Sequence, residues 1–148
     1  IAFRTFAGGI VAGVGSLLIL IFNVVFLGAA AALMVNKNLG ETFFPFVIGH
    51  SSFELTAIVL SAFAGLSLGY RLFVTQGLTR AASIRRAGKT AIPIIGGSAI
   101  LLVLAAAIEA FWSSRHTLPV LVRYGAGTAN WILLFAYFIL AGRKQNRG

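Results

Sequence analysis

Four long apolar runs restrict the fold of this chain more than any other feature. They cover residues 6–35, 43–73, 91–112 and 117–140. A helix perpendicular to a membrane crosses the hydrocarbon core with ~20 residues, so every run can span, and the first two must tilt, bend or extend beyond the core. Only 10% of the residues are charged and 59% are hydrophobic, which leaves too little polar surface for a soluble domain. The sequence predicts an all-α polytopic membrane helix bundle of four spans, forming a single domain over residues 1–148.

The second run contains residues that interrupt helices. In FFPFVIGH, Pro45 and Gly49 precede His50, and we predict that the second span is broken near Pro45–His50 because proline removes a helical hydrogen bond.

The chain opens IAFRTFAGG without methionine, and the run after Arg4 is too long for a signal peptide. We therefore expect this to be the membrane part of a longer chain.

The distribution of lysine and arginine predicts the orientation. The formal net charge is +9, and short loops rich in Lys and Arg stay in the cytoplasm. One side would hold Lys37, Arg115 and Arg123. The other side would hold the remaining basic residues, which are Arg4, Arg71, Arg80, Arg85, Arg86, Lys89, Arg143, Lys144 and Arg147. Both ends and the connector 74–90 are thus predicted to be cytoplasmic, in a plasma membrane.

The connector and its flanks form a basic segment with two readings. Its cations are Arg71, Arg80, Arg85, Arg86 and Lys89. They could form a docking surface for a cytoplasmic partner or for anionic lipid, or they could serve as a positive-inside anchor, with a short surface helix over residues 78–86. We favour the anchor, because the orientation rule alone requires such a segment. Since the basic residues flank apolar runs, nucleic acid is not an expected partner.

Two of the three acidic residues fall inside predicted spans. These are Glu54 and Glu109, while Glu41 lies in a loop. An unpaired charge at membrane depth costs ~3 kcal/mol or more, so each carboxylate needs a partner. The predicted topology puts His50, Glu54, Glu109 and Arg123 at one level of the bilayer. We predict that they form an intramembrane polar cluster, with Arg123 as the counter-ion of one glutamate.

Small residues along the spans predict where helices approach each other. On the second span, His50, Glu54, Ala57, Ser61, Gly65 and Gly69 form one stripe by their spacing of three and four. Gly65 and Gly69 make a small-xxx-small pattern, as do Gly9 and Gly13 on the first span, and such patterns admit a neighbouring helix closely. Asn23 is expected to bond to a neighbouring helix or to water.

Catalysis is the weakest of the readings of the polar cluster. The chain has no cysteine, which excludes thiolate chemistry. His50 is the one intramembrane histidine, since His116 lies in a predicted loop, so a histidine-pair zinc site is not expected. No nucleophile elbow, phosphate loop or dinucleotide fingerprint occurs. We therefore predict no enzymatic activity, no metal and no cofactor. The cluster is interpreted as a set of contacts that hold the helices together, or as a site with a proton-linked, ion-linked or partner-gated role.

Several segments resemble one family. GHSSFELTAIVLSAFAGLSLGYRLF resembles the signature helix of the stage II sporulation protein M family, AAAIEAFWSS its Ala-x-x-Ile-Glu-Ala-Phe motif, and LPVLVRYGAGTANW its closing segment. Asn23 in IFNVVFLGA matches a position where that family has Asn-Gly. Three residues depart from the family pattern, namely Val24, Ser51 and Thr56.

The resemblance implies a bacterial multi-pass plasma-membrane protein without enzymatic activity, and a cytoplasmic region before the membrane part. The family's namesake holds together a complex with cell-wall hydrolases, and relatives are encoded beside AAA-type ATPases. The leading expectation is a scaffold or subunit of a membrane complex, whose partners are lipids and envelope proteins, with an ATPase-linked complex among them. The alternative is a transport or channel-like subunit that uses the His/Glu cluster. Small-residue faces that remain unused within the bundle, such as Gly9 and Gly13, are compatible with a homo-oligomer.

Overall fold

The protein is an array of long helices. The computed structural model describes residues 1–10, 14–113 and 118–145, and these contain no strand. In order, the helices are α1 (Ala2–Ile10), α2 (Val14–Asn36), α3 (Gly40–Phe73), α4 (Arg80–Ile108), which continues into a π-helix (Glu109–Ser113), and α5 (Val120–Gln145). Four segments are long and apolar enough to cross a membrane: Gly15–Asn36, Gly40–Phe73, Arg80–Ser113 and Val120–Gly142. The predicted all-α bundle of four spans is confirmed; its orientation stays a prediction.

The first apolar run differs from the predicted single span over residues 6–35. α1 turns back along the first part of α2, so that Ser16 Oγ donates a hydrogen bond to Thr5 O at 2.5 Å, and Ile1 lies in a groove with Phe22 and Asn23. The excess length is taken up by a hairpin rather than by tilt. Residues 11–13 and the surroundings of Gly9 lie outside the described part of the chain. The predicted Gly9/Gly13 contact therefore also lies outside it.

The second span is one continuous helix, which corrects the break predicted near Pro45–His50. α3 runs from Gly40 to Phe73 with Pro45 inside it. Pro45 is the sixth residue of the helix, just after the first turn, whose leading amides have no i−4 acceptor within the helix. Its missing amide therefore removes a single hydrogen bond, and it does so close to the start of the helix.

The third span begins earlier than the predicted residue 91. α4 starts at Arg80, where the side chain of Thr79 accepts a hydrogen bond from Ala82 N at 3.3 Å, a normal N-terminal cap. Most of the connector 74–90 is therefore the first part of α4, and the surface helix predicted over residues 78–86 is continuous with the span. The turn that remains contains Gln76 (φ 51°) and Gly77 (φ 79°), both in the left-handed region.

α3 lies at the centre and packs against the other helices. Its buried positions are mostly small residues, which are Gly49, Ser52, Ala57, Ser61, Ala62, Ala64, Gly65 and Gly69. Its large apolar residues, such as Val59 and Phe63, are exposed, as expected where lipid is the solvent. α5 runs parallel to α3, because Gly127 lies beside Ile48 and Phe138 lies in a cleft with Leu60.

Candidate functional site

His50 is buried where α3 meets the end of α4. Only 6% of its surface is exposed. Its Nδ1 lies 3.4 Å from Ser113 Oγ in the π-helix, and the ring of Phe46 packs edge-on against it with the centroids 5.3 Å apart. On the other side of the ring, Nε2 lies 4.0 Å from Oε2 of Glu54. The imidazole thus joins two helices and touches the glutamate one turn further along its own helix.

Glycines bring three helices together at this level. A Cβ on Gly49 would lie 2.9 Å from Ser113 Oγ, and a Cβ on Gly127 would lie 2.6 Å from Ile48 O. Real Cβ atoms do not come that close to a backbone oxygen, so only glycine allows α5 to reach the backbone of α3. α5 therefore meets the backbone of α3 at Ile48, two residues before His50.

A side-chain hydrogen bond holds the same contact. Asn130 Nδ2 donates to Gly49 O at 2.8 Å, so α5 is tied to α3 by an amide next to the glycine contact. On α5, Arg123, Gly127 and Leu134 are buried, and Asn130 lies on the same stripe by its spacing. We call the group His50, Gly49, Ser113, Gly127 and Asn130 the His50 junction.

The four residues of the predicted polar cluster have different environments. His50 and Glu54 are in contact, and the Glu54 side chain is 41% exposed. Arg123 is buried, with 5% of its surface exposed, one turn before Gly127 on α5. Glu109 is exposed and begins the π-helix. The structure therefore brings together the first pair, and the predicted ion pair of Arg123 with a glutamate stays a prediction.

The π-helix explains which residue reaches His50. A π-turn holds one more residue than an α-turn, which shifts the faces of the residues that follow. Ser113, with 1% of its surface exposed, is turned into the bundle, whereas Glu109 is turned outward. Sequence reasoning missed Ser113, Gly127 and Asn130 as members of the site. The available signal was the i, i+4, i+7 spacing of Arg123, Gly127 and Asn130.

The predicted packing residues lie in two places. Ser61, Gly65 and Gly69 are buried in α3, and a Cβ on Gly65 would lie 2.6 Å from Phe6 O and 2.8 Å from Ser16 Oγ. We call Gly65, Phe6 and Ser16 the Gly65 junction, where the α1–α2 hairpin meets α3. Asn23 Nδ2 donates to Ile19 O in its own helix at 2.8 Å, and the bond predicted from Asn23 to a neighbouring helix or to water stays a prediction. The neighbouring face of α2 is exposed, so the backbone of its own turn supplies the acceptor.

The basic segment surrounds the turn between α3 and α4. Arg71 lies in the last turn of α3 and donates to Gln76 Oε1, while Ser83 Oγ donates to Arg71 O at 3.1 Å. The other cations of this segment lie on the first turns of α4: Arg80, Arg85, Arg86 and Lys89. The turn is therefore fixed by side-chain bonds from both helices.

The chemistry available at the His50 junction is hydrogen bonding between helices. Within the described ranges, His, Cys, Asp and Glu residues form no group of three that could hold a metal ion. The polar atoms of Ser113 and Asn130 face an imidazole nitrogen and a backbone carbonyl of α3. Each of these contacts joins residues of two different helices, and the two residues are 63 positions apart in the first contact and 81 in the second.

One family model matches this chain. It is described as stage II sporulation protein M, and it matches residues 1–114, which include α1 to α4, His50 and Ser113. No curated protein and no solved structure matches the chain.

Proposed function

The chain belongs to the stage II sporulation protein M family, and from this membership we propose that it is a non-enzymatic scaffold of a membrane complex. Its spans would hold envelope proteins in place, among them cell-wall hydrolases, as the resemblance to the family's namesake implies. The compartment that fits this role is the bacterial plasma membrane.

The observation that carries the proposal is the way the intramembrane polar groups are used. At the His50 junction, Asn130 is bonded to Gly49 O at 2.8 Å, and His50 faces Ser113 at 3.4 Å. Polar groups that bond across helices fix the helices relative to each other, whereas a transport site needs groups that exchange partners with the cargo. This supports a rigid frame that presents its ends to other proteins.

The scaffold role is tested by recovering the complex. The tagged full-length protein is solubilised gently from the membranes of its native cells, and the eluate is assayed for peptidoglycan hydrolysis in a gel that contains cell wall. We expect hydrolase activity to co-purify with the protein and to be absent from an equally tagged, unrelated membrane protein of the same cells. An eluate that contains the intact protein without hydrolase activity would contradict the recruitment of hydrolases.

Glu54→Gln separates the scaffold from the transport alternative. The substitution keeps the shape of the side chain and removes the charge that His50 contacts at 4.0 Å. A scaffold retains its co-purifying activity, and the purified protein in liposomes shows no proton or ion flux with either residue. Flux through the wild-type protein that Glu54→Gln abolishes, with the complex intact, would favour transport instead.

A further inference from the structure

A basic recess lies between the last turns of α3 and the first turns of α4. It has a volume of about 290 Å³. Two guanidinium groups and three hydroxyl groups are among its lining, contributed by Ser67, Tyr70, Arg71, Arg86 and Thr90. Arginine and hydroxyl donors are the groups that hold phosphate oxygens in proteins. The recess therefore has the chemistry of a phosphate-binding site.

No acidic residue in the adjoining segments of this chain balances the positive charge of the recess. Between Glu54 and Glu109 the sequence contains no Asp or Glu, so neither wall of the recess supplies a carboxylate. Arg71 donates to Gln76, a neutral amide, which uses part of a guanidinium with five donors. Other cations, such as Arg85 and Lys89, lie on the same part of α4. An anion is therefore the ligand that this end of the bundle attracts.

An apolar cleft adjoins the recess. The cleft has a volume of about 450 Å³ and lies between α4 and α5 over α3. Ile94 lines both the recess and the cleft, and from there the α4 side of the cleft extends to Leu101, ~10 Å along the helix axis. Leu60 and Phe138 form the other walls. The cleft is open because α4 and α5 pack mainly against α3 rather than against each other.

We propose that the recess and the cleft together form a binding site for one anionic phospholipid. The phosphate lies between Arg71 and Arg86, and an acyl chain lies in the cleft beyond Ile94. A phospholipid is the ligand that matches both parts, because a soluble phosphate would leave the cleft unused and an acidic protein segment would have no acyl chain to place there. Basic pockets between spans at the positively charged end of a membrane protein suit such head groups.

The proposed binding of the headgroup in the recess is tested by measuring how much lipid the intact protein retains. The full chain is purified in mild detergent, and bound phosphatidylglycerol is measured by native mass spectrometry. Arg71→Gln with Arg86→Gln is expected to lower the retained lipid about tenfold, since two charge-assisted contacts are lost. The matched control is Arg80→Gln with Arg85→Gln, which removes the same charge from residues that do not line the recess and is expected to change retention less than twofold.

Equal losses in the two double variants would overturn the site, because they would show a general effect of charge. Retention of zwitterionic phosphatidylcholine equal to that of phosphatidylglycerol would do the same. Both variants are compared with the wild type by circular dichroism and thermal unfolding. If Arg71→Gln with Arg86→Gln does not fold, the test of acyl-chain binding in the cleft alone decides the question.

The proposed binding of the acyl chain in the cleft is tested by substitutions at two neighbouring glycines, Gly96 and Gly97. Nothing lies within 4 Å of a Cβ on Gly96 or Gly97, so both accept a side chain, but Gly97 lines the cleft and Gly96 does not. Gly97→Leu is expected to lower phosphatidylglycerol retention about fivefold, and Gly96→Leu is expected to leave it unchanged. If Gly97→Leu has no effect and inorganic phosphate displaces the lipid at millimolar concentration, the recess binds a free anion and the proposal is wrong. It is also wrong if the arginine pair is needed for a co-purified acidic protein but not for lipid.

Discussion

Two junctions hold the helices to α3, and they do so differently. At the Gly65 junction, α3 contributes only the absence of a side chain, so that the backbone of Phe6 and the hydroxyl of Ser16 come within reach. At the His50 junction, a glycine contact is combined with side-chain bonds, such as that of Asn130 to Gly49 O. Helices in lipid gain no hydrophobic energy from association, so close packing and hydrogen bonds must hold them. Among the described residues, the hairpin meets α3 through close packing, whereas α5 meets α3 through close packing and a side-chain hydrogen bond.

The largest effect is expected for Gly65→Leu. The new Cβ would meet Phe6 O at 2.6 Å and the Phe6 Cα at 3.1 Å, and these backbone atoms can move only if α1 moves. We expect a loss of about 3 kcal/mol, the upper part of the usual range for overpacking, measured by unfolding in SDS followed by circular dichroism. Gly28→Leu is the control, because nothing lies within 4 Å of a Cβ there. Equal stability of the two variants would contradict the close approach of α1 to α3.

A smaller loss is expected for Gly127→Leu at the His50 junction. Its Cβ would meet Ile48 O at 2.6 Å, but α5 contacts α3 on one side only and can move outward. We expect a loss of about 2 kcal/mol in the same assay. Gly125→Leu is a control on the same helix, since a Cβ at Gly125 has open space. If Gly127→Leu costs more than Gly65→Leu, α5 and not the hairpin is the more tightly fixed element.

A substitution at Asn130 measures the hydrogen bond of the His50 junction separately from its glycine contacts. Asn130→Ala removes the 2.8 Å bond to Gly49 O and leaves both glycine contacts in place. We expect a loss of about 1 kcal/mol, within the range for interhelical bonds in membranes. Thr128→Val is the control, because Thr128 Oγ1 donates to Tyr124 O in its own helix and joins no helices. If Asn130→Ala lowers the stability no more than Thr128→Val does, the bond of Asn130 does not stabilise the contact between α5 and α3. That contact would then depend on close packing, as at the Gly65 junction.

The sequence could predict the spans and part of the packing face. Apolar runs predict that a segment lies in lipid, and glycine spacing singled out Gly65. Apolarity does not, however, carry direction, so the fold of residues 6–35 into a hairpin could not be read from it. The prediction for Glu109 rested on its depth in the bilayer, which does not tell which way the side chain faces. The π-helix that follows, Glu109–Ser113, shifts the later residues and could not be read from apolarity. The spacing of Gly127 and Asn130 places them on one face of α5. It does not tell which helix lies opposite that face, so their contact with α3 was missed.

The smallest effect is expected for Ser113→Ala, which tests whether the imidazole contributes to the His50 junction. The distance from Ser113 Oγ to His50 Nδ1 is 3.4 Å, long for a hydrogen bond, so we expect a loss of about 0.5 kcal/mol. Ser98→Ala is the control, because Ser98 is also buried but donates to Ile94 O in its own helix at 2.9 Å. Combining Ser113→Ala with His50→Ala gives the coupling energy directly. A coupling of zero would mean that His50 is held at the end of α4 by shape alone, and Asn130 would then be the one tested side chain that bonds across helices there.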